Sequence, residues 1–302
     1  MAFWDITKPF MVEFEGADGS GKHTQASIFH SYMTYLGQLY GKEAILTSFP
    51  SYESPSSYFV KKYLASEYDT AIREADNVDQ TKLIFSFYGI DQFDTWHDTN
   101  RFKDHKSLHD KYLFEAPLMT MDRFWMSNFI YQITRDILRI PMIDKNRTSI
   151  IEDFHRNIDP NDIVVDGNYK FSEIWAFVKY SYDRCCDTPF TPPNLPVPNV
   201  IVNLTFQNYY DAGYKLLQER EGNKDKNEDN YHLMAFVNYL SYDIIKKVIQ
   251  FMIDDGKIET APILLNIRCD TGGKMRSKNE IHNKIIESIK PKVADAVRSI
   301  TK

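Results

Sequence analysis

The sequence predicts an α/β fold, a parallel sheet with helices on both faces, and three observations carry that prediction. Strand-like apolar runs alternate with helical patterns along the chain. One such run stops at a glycine-rich turn, Gly16 to Lys22, which opens a helical pattern. The 302 residues are 43% hydrophobic, enough for a sizeable core, and contain no internal repeat.

Taken in order, Phe10 to Phe14 has strand character and Gln25 to Leu36 has helical spacing. Glu43 to Ser48 reads as a second strand, ended by Phe49-Pro50 because proline cannot continue a ladder. Tyr58 to Leu64 and Val78 to Phe93 read as helices, and the polar stretch Trp96 to Lys111 as a surface excursion. Leu118 to Met121 is a short buried strand, followed by a helix from about Phe124 to Ile140. Residues 141–197 read as an irregular insertion with some helix, broken by Asn146-Arg147, Asp159-Pro160 and the proline-rich Thr191 to Pro198. Val200 to Leu204 and Pro262 to Ile267 are the last strands, with helices near 207–219, 229–254 and 279–298. A parallel sheet of this kind places its ligand at the carboxyl ends of the strands.

Composition narrows the partners. A net charge of −6 and a pI near 5.8 argue against a general nucleic-acid binder and leave room for small anionic ligands. No run of about 18 apolar residues and no signal-peptide pattern is present, so neither export nor membrane insertion is expected, and a cytoplasmic protein is. Cys185, Cys186 and Cys269 cannot build a disulfide framework, and adjacent cysteines lack metal-ligand spacing. His105 and His109, four apart with no third ligand, read as a solvated helix face. Ile163 to Ser172 reads as a strand and turn, with Gly167-Asn168 as ordinary turn chemistry.

Two segments carry chemistry. Gly16, Ala17, Asp18, Gly19, Ser20, Gly21 and Lys22 form a loop whose glycines let backbone N–H groups turn inward, while the helix behind adds its positive end and Lys22 reaches the β- and γ-phosphates of a nucleoside triphosphate. His23 stands where a Mg²⁺-binding hydroxyl is usual, with Thr24 one place later, and a ligand-free glycine turn stays open for the loop alone. In the second segment, Asp122-Arg123 ends a strand and opens a helix. The fork of Arg123 suits a phosphate and Asp122 can order a metal-bound water. Asn128 and Tyr131, three apart, share a helix face and could read a base and a sugar, although a helix-start carboxylate with a surface ion pair also explains the dipeptide.

Met121 to Gln132 resembles the D-R-[YF]-x-x-S-N-x-x-Y-Q signature of thymidylate kinases, and Glu15 to Lys22 resembles their E-G-x-D-G-x-G-K. Phe49-Pro50-Ser51-Tyr52 and Phe87 to Asp94 are similar to two further family segments, and Pro198 to Leu204 to a third; residues 96–116 and 136–196 are largely unmatched. The resemblance implies a P-loop kinase fold over residues 1–302, one domain with insertions near 96–116 and 136–196 and a lid at about 220–228. It implies phosphoryl transfer from ATP, with Mg²⁺, to a pyrimidine deoxynucleoside 5′-monophosphate, most simply dTMP to dTDP, in a homodimer.

Carried over by position, Lys22 holds the β/γ-phosphates, Asp18 meets the nucleotide 3′-hydroxyl and Arg123 clamps the acceptor phosphate. Asn128 contacts the pyrimidine edge, Tyr131 lies against the deoxyribose and Tyr88 stacks on the base, with Phe49, Tyr52 and Ser127 around them. With Gly19 inside the loop, the extra cation is expected from Arg220, Lys224 or Lys226 in the lid; without the resemblance this run reads equally as a solvated loop. Gln92 replaces an arginine that the family sets against a thymine carbonyl. A kinase for dUMP or a modified deoxypyrimidine therefore stays open, as does a nucleotide-binding scaffold without turnover, suggested by His23 and the insertion.

Overall fold

The computed structural model describes residues 7–68, 77–221 and 228–300. Strand β1 (Phe10–Gly16) runs into α1 (Lys22–Tyr40), then β2 (Ala44–Ser48), α2 (Tyr58–Leu64), α3 (Asn77–His97) and α4 (Leu108–Phe114). Next come β3 (Leu118–Asp122), α5 (Trp125–Leu138), α6 (Pro141–Asp144), α7 (Arg147–His155), the ladder β4 (Val164–Val165) and β5 (Tyr169–Lys170), and α8 (Trp175–Cys185). The chain closes with β6 (Val200–Thr205), α9 (Lys215–Glu221), α10 (Glu228–Asp254), β7 (Ile263–Arg268), the ladder β8 (Asp270–Thr271) and β9 (Lys274–Met275), and α11 (Lys278–Ile300).

Five strands pair in the order β2-β3-β1-β6-β7, all in parallel. The central strands β1, β3 and β6 are buried at every residue, whereas the edge strands β2 and β7 are only partly covered. The expected α/β sheet is therefore present. Its order reverses between β1 and β3, so the loop after β1 and the corner after β3 open into the same crevice beyond the strands' carboxyl ends. In α1, Ala26, Phe29, Met33 and Leu36 recur at helical spacing and face the core, and Gly41 at φ 65 ends the helix.

Three segments refine the sequence expectations. Residues 99–106 form an exposed turn region, as expected, but its ends are anchored: Trp96 and Leu108 are fully buried, and α4 begins at a capping box made by Ser107 and Asp110. The charges there pair among themselves, with Lys111 Nζ 2.9 Å from Glu43 and 3.0 Å from Asp104, which lets a polar sequence lie against the core. The insertion carries helices α6, α7 and α8 among turns, as expected, but it is not peripheral: Ile143, Ile150, Phe154, Phe171, Val178 and Tyr182 add to one hydrophobic cluster with the sheet. The turn at 166–167 is a hairpin, with positive φ at Asp166 and Gly167. The helix expected near 207–219 is present, opening with a π-helical turn at residues 210–214 that leads into α9.

Candidate functional site

The glycine loop hangs between β1 and α1. A Cβ on Gly16 would stand 2.2 Å from the Leu204 carbonyl oxygen, and one on Gly19 would stand 2.7 Å from that of Gly213, so backbone packing as well as the turn requires glycine at both. Helix α1 starts at Gly21 with no side-chain cap, leaving its first turn open to an anion. Ser20 is fully buried, and its hydroxyl has no hydrogen-bond partner. Such a cradle fits a polyphosphate. Lys22 folds across it: Nζ donates to Gly16 O at 2.7 Å and to Ala17 O at 2.8 Å and lies 3.4 Å from Asp18. Burial, with Arg123 nearby, lowers Lys22 to about 8, against the pull of Asp18, Glu15 and Asp122.

His23 is exposed, and its Nδ1 lies 2.9 Å from Asp122 Oδ2, while Ser48 Oγ lies 3.5 Å from the same oxygen. Asp122 thus offers a carboxylate at the mouth of the loop, a donor suited to a hydrated Mg²⁺; the imidazole beside it adds no hard oxygen ligand. Thr24 is half-buried in the first turn of α1.

The corner after β3 is built from β1. Arg123 has φ 66, a left-handed conformation uncommon for a side-chain-bearing residue, and its N–H donates to Phe14 O at 3.1 Å. Glu15 caps α5 from across the sheet: Phe124 N donates to its Oε1 at 3.4 Å, and Ser127 Oγ lies 2.6 Å from both of its oxygens. Glu15 was not among the expected site residues, because in the sequence it is only one member of a strand.

The Arg123 guanidinium is ion-paired to Asp18 and sits 5.4 Å from the centre of the Tyr131 ring. The Tyr131 hydroxyl donates to Asp18 Oδ1 at 3.3 Å and Gly16 O at 3.4 Å. Burial pushes the Asp18 carboxyl up, but Arg123 and Lys22 outweigh it and hold the group well below the usual carboxylate range. Asp18, Lys22, Arg123 and Tyr131 therefore meet at one point where the loop faces the corner.

A cavity of about 230 Å³ opens at that point, and Asp18, Phe49, Tyr52, Tyr88, Gln92, Arg123, Ser127, Asn128 and Tyr131 all line it. Two assignments change. Gln92 is 2% exposed; its Nε2 donates to Phe124 O at 2.9 Å and its Oε1 accepts from Asn128 at 3.0 Å, so its amide is used within the protein and not on a base edge. Gln132 also lines the cavity, buried, with an Oε1 that has no hydrogen-bond partner; it stood at the end of the quoted sequence segment without a role. Arg135 joins it from the next turn of α5, bonded to the Tyr63 hydroxyl.

Lys224 and Lys226 lie outside the described residues, and of Arg220 only the backbone, in α9, is described. His105 sits at positive φ in the turn before α4 rather than on a helix with His109, whose ring stands 4.8 Å from that of His97. Asp183, Cys186 and Asp255 bring possible metal-ligand atoms within 4.8 Å of one another, a proximity that spacing does not show; Asp183 is ion-paired to Lys179. A cavity of about 730 Å³ lined by His155, Tyr210, Tyr214 and Tyr231 among others includes none of the expected site residues. Among the described residues no helix is long and apolar enough to cross a membrane.

No protein-family model and no curated protein matches this chain. Among solved structures, thymidylate kinase from Candida albicans is similar at 14% identity and a TM-score of 0.44, covering 94% of this chain and 92% of that one. Thymidylate kinase from Ehrlichia chaffeensis is similar at 14% identity and a TM-score of 0.42, covering 93% of this chain and 99% of that one.

Proposed function

We propose that the protein transfers the γ-phosphoryl group of ATP to the 5′-phosphate of a pyrimidine deoxynucleoside monophosphate, most simply dTMP. The observation that carries this reading is the convergence of Lys22, on an uncapped glycine cradle, with Arg123, at the mouth of a ring-lined cavity. A donor polyphosphate on the cradle would end where Arg123 holds an acceptor phosphate, so catalysis is positioning and charge neutralisation. Lys22 and the loop amides meet the charge on the donor side; Arg123, oriented by its ion pair to Asp18, meets it on the acceptor side. Mg²⁺, with Asp122 holding one of its waters, would neutralise the phosphates further, and Arg220, Lys224 and Lys226 would complete a lid.

Tyr88 would stack on the base and Tyr131 would crowd out a 2′-hydroxyl. Gln132, buried with an Oε1 that has no hydrogen-bond partner, would meet the pyrimidine edge: its amide can accept from the N3–H of thymine or uracil and, turned over, donate to N3 of cytosine. The rival acceptor is dUMP or a 5-modified relative. The test is ADP release from ATP across a panel of nucleoside monophosphates, run with wild type and Arg123→Ala. Turnover with dTMP or dUMP is expected, with kcat/KM lower by roughly 10²-fold or more in the variant. ATP binding with no acceptor-dependent turnover would mean a scaffold instead.

A further inference from the structure

Glu13 and Glu15 stand two apart on β1 and so on one face of the central strand, both at 0% exposure. Glu15 is supported by Ser127 and Phe124 N, with Arg123 and Lys22 adding favourable charge. Glu13 has no hydroxyl or cation of this kind. Neither of its oxygens has a hydrogen-bond partner, and the groups facing it are the Glu15 carboxyl and the backbone amides of Met126 and Phe124. Two carboxyl groups buried side by side cannot both ionise at acceptable cost, and Glu13, whose burial and facing Glu15 charge outweigh the two amides and which no cation offsets as Arg123 and Lys22 do for Glu15, keeps the proton.

We propose that Glu13 and Glu15 share one proton, carried by Glu13, and that Glu13 is a positioning residue. Its hydroxyl donates to Glu15 and holds that single charge on Ser127 and the Phe124 amide, which fixes the turn presenting Arg123. The role of Arg123 rests on the proposed phosphate site; the shared proton does not. Burial and the neighbouring carboxylate raise Glu13 well above the ordinary carboxylate value, so the native state binds more protons than the unfolded chain. The sign follows: stability is fullest below the ordinary glutamate range and declines as pH rises towards the folded-state value.

Glu13→Gln keeps a donor and cannot ionise; Glu13→Leu keeps the burial and loses the donor. The infrared spectrum of wild type should show a protonated carboxyl band at neutral pH that is missing in both variants, and the decline of melting temperature with pH should flatten in both. Tripolyphosphate affinity, measured by calorimetry, reads the loop and Arg123 without assuming an acceptor. It should be near wild type in Glu13→Gln and about tenfold weaker in Glu13→Leu, the loss of one hydrogen bond to a charged group. A wild-type spectrum without that band overturns the shared proton. Equal affinities in the two variants, or a wild type that does not bind tripolyphosphate, overturn the positioning role, and the latter overturns the phosphate site as well.

Discussion

Lys22 lies folded over Gly16 O and Ala17 O, and burial brings it to about 8, below the ordinary lysine value of 10.5. The unliganded protein therefore sheds this proton as pH rises through 8, while the unfolded chain keeps it to about 10.5, so the contribution of this group to stability rises between those values. A bound triphosphate reverses the preference by favouring the charged ammonium. Nucleotide affinity is expected to hold below pH 8 and to weaken above it by up to about tenfold per pH unit, with uptake of about one proton. Calorimetry in buffers of different ionisation enthalpy measures this, and no proton uptake at pH 9 would remove Lys22 as a phosphate ligand. The cradle was legible in the sequence because its chemistry lies within seven consecutive residues. The contact between His23 and Asp122 was not, since its partners are 99 positions apart and meet only when β1 pairs with β3.

At the scale of elements, α5 carries the corner, with Arg123 before its first turn and Asn128, Tyr131, Gln132 and Arg135 along it. Sequence spacing placed Asn128 and Tyr131 on the cavity side. It failed at Gln92 because periodicity shows which face of α3 a residue is on, not whether its amide is already bonded to the neighbouring helix. An arginine at this position would bury a guanidinium between α3 and α5 in place of an amide bonded at both ends. Gln92→Arg is expected to cost about 3 kcal/mol or more in urea unfolding rather than sharpen base choice. A variant as stable as wild type would show that the guanidinium extends into the cavity this residue lines instead of being buried between the helices. The strand β1 was read as apolar although it carries Glu13 and Glu15, because a carboxyl in a strand signals burial only once the strand is known to be central.

For the whole molecule, the insertion matters as part of the core. Tyr182 of α8 is fully buried, with its ring 5.8 Å from Phe129 of α5 and 5.3 Å from Phe251 of α10. Tyr182→Ala is expected to cost about 3–5 kcal/mol, and Tyr180→Ala, one face away and exposed, close to nothing. If α8 were an appendage, Tyr182→Ala would leave the main unfolding transition in place. The sheet was legible from alternating strands and helices, whereas α4 and α8 were obscured because their polar faces and proline-rich flanks dominate the composition while a few buried rings and aliphatic side chains decide their position.

That packing divides the cavity mechanically. Helix α5 is gripped by α3, α8 and α10, whereas α2, which contributes Leu64 to the opposite wall, packs chiefly on α3 and the turn before it and leaves Tyr58 and Phe59 exposed. One wall is therefore held on three sides, and the other rests on fewer neighbours. If the proposed phosphoryl transfer takes place here, choice among acceptors would belong to the firmly packed side, and the rate at which a product escapes to the short helix facing it.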